Sequence, residues 1–111
     1  MRELIFTDGD FSLYLNTWEK GEGEDKKEYQ DLQIKIDGLA SKHVVDVRLD
    51  YHGFREVSTK RKYYNVYVSH GMRMTQDSLA ETQEYIEVLQ KAVEFAKRVE
   101  TYCKENDWWD E

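Results

Sequence analysis

Over the first 70 residues apolar positions recur every second residue, and after Gly71 they recur every third or fourth. Period two marks half-buried strands, and a period near 3.6 marks an amphipathic helix. Leu4, Ile5 and Phe6 form a short apolar run closed by Asp8-Gly9, a turn pair. From Phe11, Leu13 and Leu15 share one face while Ser12, Tyr14, Asn16 and Trp18 share the other. Residues 19–28 contain no apolar side chain and read as a mobile, charged surface loop. Leu32, Ile34 and Ile36 then alternate with Gln33, Lys35 and Asp37, and Asp37-Gly38 closes that strand. A fourth strand is predicted from His43 to Tyr51, a short fifth over 54–58 and a sixth over 63–69. Each has one polar or mixed face, the mark of an antiparallel sheet covered on a single side.

Asp77 or Ser78 can cap a helix here, and Ser78 with Glu81 reads as a capping box at its start. Leu79, Thr82, Ile86, Leu89, Val93 and Ala96, widened by Tyr85, Val88, Ala92, Phe95, Val99 and Tyr102, give its apolar stripe. The expected class is α+β: an antiparallel sheet of five to six short strands over 3–70, packed against one long C-terminal amphipathic helix over about 77–105. An acidic tail over 106–111 completes a single domain spanning 1–111. Such a helix measures about 39 Å, against about 20–27 Å for the strands. Its last turns, with Val99, Tyr102 and Cys103, are therefore expected to overhang the sheet.

At 111 residues there is room for one modest core. Net charge is −7, which disfavours sequence-independent binding to nucleic acid or anionic lipid and permits a basic partner. One cysteine, Cys103, cannot form an internal disulfide, and no apolar run reaches the ~20 residues of a membrane span. With no leader-like N-terminus, these features suggest a cytoplasmic chain without membrane contact.

No glycine-loop, zinc or nucleophile-elbow motif is present, so no catalytic residue, no cofactor and no dedicated metal site is expected. The one metal candidate is His52, His70 and Asp50, which a three-strand meander would bring to one sheet edge. Charge is unevenly distributed: residues 1–28 carry −4, residues 29–75 carry +3 and residues 76–111 carry −6. The middle segment holds a basic tip, Arg55, Lys60, Arg61 and Lys62, beside Tyr63, Tyr64 and Tyr67. Basic residues among aromatics suit weak single-stranded nucleic-acid binding over residues 60–67. Trp108-Trp109 in an acidic tail is expected to pack back, enter a dimer interface or insert into a partner.

Together these features point to a non-enzymatic protein-binding module whose partner is a basic or nucleic-acid-binding protein. Candidate contact residues are Glu22, Glu24, Asp25, Tyr63, Tyr67, Trp108 and Trp109. In size, charge and absence of motifs the chain resembles small acidic phage and mobile-element inhibitors such as anti-CRISPR proteins. That resemblance implies an inhibitor that imitates a nucleic-acid backbone; no residue motif carries it. The alternative class is a homodimeric structural or adaptor protein joined by the long helix.

Overall fold

A computed structural model describes residues 1–43, 45–51, 55–56, 64–70 and 78–108. Strands β1 (Arg2–Asp8), β2 (Phe11–Lys20) and β3 (Lys27–Ile36) form an antiparallel meander. Gly9, at φ +60°, makes the first turn. β1 lies at the edge and carries an irregularity between Leu4 and Phe6. As a result Leu4 faces Tyr14, Phe6 faces Leu13, and Leu4 stands half exposed. A bulge of this kind blunts an edge strand against pairing with another chain.

β3 ends at a five-residue helix, α1 (Gly38–Lys42), where the alternation gave only a turn. Asp10 holds this corner: its carbonyl accepts the Asp37 N–H at 2.9 Å and its carboxylate accepts the Leu39 N–H at 3.1 Å. Gly38 sits at φ +60°, and a Cβ there would lie 2.6 Å from Asp10 Oδ1, so only glycine fits.

After α1 the chain does not rejoin β3's ladder. β4 (Val45–Tyr51) pairs instead with β6 (Tyr64–His70), antiparallel, as a separate two-stranded sheet. β5 (Arg55–Glu56) adds two residues to β3 opposite Tyr29 and Gln30. The single sheet of five to six strands is thus replaced by three full strands extended by β5, plus a pair. Between β3 and β4 lies an open cleft of about 340 Å³, lined by Leu32, Ile34, Val47 and Leu49 among others. β4 follows α1 without pairing to β3, and its Val47 is buried in the core with Leu49 packed against it.

α2 (Leu79–Glu105) covers both sheets. Ser78 caps it, its hydroxyl accepting the Glu81 N–H at 3.1 Å. Phe95 is the hub of the core, with ring centroids 5.5 Å from Phe6 and 5.3 Å from Phe11. Leu13, Leu32, Val47, Val88, Ala92, Val99 and Cys103 complete the packing, and no polar side chain is buried among the described residues.

The overhang lies at the opposite end from the one expected. Val99 and Cys103 are fully buried, whereas Leu79 is 89% exposed. The reversal comes from the tail: Asp107 turns at φ 61°, the Trp108 N–H donates to the Cys103 carbonyl at 2.9 Å, and the Trp108 ring enters the core at 1% exposure. Packing back removes a large ring from water and closes the end of the helix.

Candidate functional site

The feature that departs most from a compact domain is the β2–β3 hairpin. Its register runs unbroken from Phe11↔Ile36 to Lys20↔Lys27, so the segment expected to be a ten-residue mobile loop contributes two residues at each end, two ladder pairs in all. Only 21–26 remain as a connection. The proximal half is anchored by Phe11, Leu13 and Leu32, and beyond Leu32 no residue of the hairpin is buried.

Polar and aromatic pairs hold the distal half. Asn16 Nδ2 donates to Asp31 Oδ1 at 2.9 Å, and Gln30 Nε2 donates to Thr17 Oγ1 at 3.4 Å. The N-terminal ammonium donates to the Thr17 carbonyl at 2.6 Å, and the Thr17 N–H returns to the Met1 carbonyl at 2.7 Å. Trp18 and Tyr29 stack with centroids 6.1 Å apart, and the Arg2 guanidinium lies 3.8 Å from the centre of the Tyr14 ring. These aromatic groups give the outer face of the arm an apolar strip on a polar ladder.

At the end, Gly21 takes φ +100°, where an added Cβ would collide with the Asp25 carbonyl. A single 3-10 turn, Gly23–Asp25, follows, with the Asp25 N–H donating to the Glu22 carbonyl at 3.0 Å. Glu22, Glu24 and Asp25 are all exposed on this turn. Glu19 sits opposite Glu28 and Lys20 opposite Lys27, placements that weaken a ladder. The 2.7 Å bridge from Lys26 to Glu19 offsets part of that cost, and the hydrogen bond raises the Lys26 pKa above its ordinary value.

The other predicted contact residues do not join this surface. Tyr67 is 44% exposed on β6, opposite Arg48. Trp108 is in the core. Tyr63, Trp109, Lys60, Arg61 and Lys62 lie outside the described residues, and Arg55 is known only as part of β5 beside Gln30. Trp18 and Tyr29 are not among the candidates read from sequence. The hairpin register is the signal that finds them, because 18 and 29 stand in the same mirror relation as 11 and 36.

The metal candidate of His52, His70 and Asp50 rested on a three-strand meander. It assumed that β4 and β6 run parallel with β5 between them. They pair directly and antiparallel, so His70 stands opposite Val45 and Asp50 opposite Asn65. Five residues of ladder, about 17 Å, separate the two; His52 lies outside the described residues. Among the described residues no group of three potential ligands gathers. Cys103 is a buried thiol: burial, reinforced by Glu100, pushes its pKa up to about 12.

Two further concavities flank α2. A groove of about 370 Å³ runs beside Phe6, where Arg98 bridges to Asp8 at 3.2 Å and covers the Phe6 ring. A smaller one, about 110 Å³, lies between Gly9, Leu39, Glu84 and Lys91. Near it His43 Nε2 meets Glu84 Oε1 at 2.7 Å, a pair 41 residues apart with no spacing signal in sequence. Its geometry ties α1 to α2. Among the described residues, the hydroxyls lining these concavities are those of Thr101 and Tyr102.

No protein family, no curated protein and no solved structure matches this chain. Among the described residues no helix is long and apolar enough to cross a membrane.

Proposed function

We propose that this chain is a non-enzymatic protein-binding module that presents the tip of the β2–β3 arm to a basic partner. The observation that supports this most is the arm itself. Three exposed carboxylates, Glu22, Glu24 and Asp25, sit on a tight turn beyond the core, with the Trp18–Tyr29 stack behind them. Carboxylates so placed steer a basic surface toward the tip, and an aromatic pair adjacent to them supplies the apolar contact that charge alone lacks. The finer version of the proposal is an inhibitor of the phage or mobile-element kind, whose acidic tip occupies the nucleic-acid site of a basic protein.

The test is retention of proteins from the native cell extract on the immobilised chain, with Glu22→Gln, Glu24→Gln and Asp25→Asn combined as the comparison. The wild type should retain a basic protein in a concentration-dependent and salt-sensitive manner. The triple variant should lose at least tenfold of that retention while its circular dichroism is unchanged. Absence of retention by a folded wild type, or equal retention by the variant, overturns the proposal.

A further inference from the structure

The sheet of β1, β2 and β3 sorts its charges by face. α2 covers the side carrying Phe11 and Leu13, where Phe95 stacks on Phe11. Side chains alternate along a strand, so the register assigns each charged residue of the three strands to a side. Arg2, Lys20, Lys27 and Lys35 fall on the side turned away from α2, together with Tyr14, Trp18 and Tyr29. Glu3, Asp8, Glu19 and Glu28 fall on the side of α2, where Asp8 meets Arg98. Asp31 is the single carboxylate these strands turn outward, and it accepts from Asn16. All four cations are exposed. Four cations less one carboxylate leave this face at +3, on a chain whose net charge is −7. The acids of α2 lie behind the sheet, and a screening length of about 8 Å at physiological salt weakens their reach to the outer face.

The rings narrow the choice of anion. Trp18 and Tyr29 stack with centroids 6.1 Å apart. Tyr14 lies four residues from Trp18 along β2, about 13 Å, and the Arg2 guanidinium stacks on it at 3.8 Å. A guanidinium stacked on a ring keeps its N–H edge for a phosphate. Lys20 stands directly opposite Lys27, at a cost to the ladder that an anion between them relieves. An acidic peptide matches the charge but gives the rings nothing to stack on, and a duplex keeps the faces of its bases covered. A single strand offers a row of phosphates and uncovered bases together.

We propose that this outer face binds single-stranded nucleic acid, its cations on the phosphates and its Trp18–Tyr29 stack extended by bases. From Lys27 to Lys35 the face runs eight residues, about 27 Å, room for roughly four to eight nucleotides. Glu22, Glu24 and Asp25 stand beyond Lys20 and Lys27 and end the track by repelling phosphate. The face and the tip carboxylates are distinct surfaces, and neither needs the other in order to bind.

Fluorescence anisotropy of a labelled strand of about twelve thymidines, titrated with the full chain from about 20 to 300 mM salt, tests this. Binding should saturate, and the logarithm of the association constant should fall against the logarithm of salt with a slope of about −2 to −3. That is the slope of three to four phosphate contacts on a single strand. An abasic strand and a duplex of the same length should each bind at least about fivefold more weakly. Lys20→Gln with Lys35→Gln, both exposed, should flatten the slope by about 1.4 with the circular dichroism unchanged. Trp18→Leu should weaken binding of the thymidine strand and leave that of the abasic strand as it was, a split that a damaged fold would not give. Glu22→Gln, Glu24→Gln and Asp25→Asn combined should leave binding at least as strong. No saturable binding at the lowest salt, equal affinity for the abasic strand or the duplex, an unchanged slope in the lysine variant, or loss of binding in the tip variant overturns the proposal.

Discussion

Cys103 shows how a single side chain's surroundings decide its chemistry. Its sulfur is fully buried on the last turns of α2, next to the carbonyl-bonded Trp108 segment. Burial disfavours the thiolate, so the pKa rises from the ordinary 9.0 to about 12. The folded state thus keeps a proton that the unfolded state releases. Stability from this group is full below about 9 and declines as pH rises toward about 12. The folded protein should leave Cys103 unmodified by a disulfide reagent at pH 8, and stoichiometric reaction should appear only with denaturant; rapid reaction of the native chain contradicts the burial. Sequence alone places this residue near the apolar stripe and favours packing over reactivity. It offers no means to see that Trp108, five residues on, turns back through a left-handed Asp107 to seal it.

At the scale of elements, the helix and its tail form one unit. Removing the Trp108 ring opens a large cavity against the buried end of α2, so Trp108→Ala should cost about 3–5 kcal/mol in denaturant unfolding. A cost under about 1 kcal/mol contradicts the packed-back tail. The long periodic elements were legible because period two and period 3.6 are written in consecutive residues: the β1–β2 turn, the inward set Phe11 and Leu13, the Ser78 cap and the extent of α2 all follow from that. Elements fixed by contacts between distant residues were not. α1 depends on Asp10 reaching Leu39, and the His43–Glu84 link spans two elements. The sheet splits after the corner at Gly38, and direct β4–β6 pairing replaces the meander on which the His52, His70 and Asp50 cluster rested. The arm was half legible: its acids were evident, but the absence of apolar residues over 19–28 concealed a ladder held by backbone bonds and by Asn16, Thr17, Gln30 and Asp31.

The whole molecule measures 61 × 27 × 23 Å, with a radius of gyration of 16.7 Å. A compact chain of this length would have about 13 Å. A small core holding a ten-pair hairpin and a 27-residue helix accounts for the elongation. The proposed function turns on the arm being where the partner sits. Amide hydrogen exchange of the chain alone and in complex with the protein it retains measures this directly. Protection should rise over 19–28, with the already slow amides of Phe95, Val99 and Cys103 unchanged. Protection confined to β4, β6 or α2, with the arm exchanging as freely as before, would contradict it.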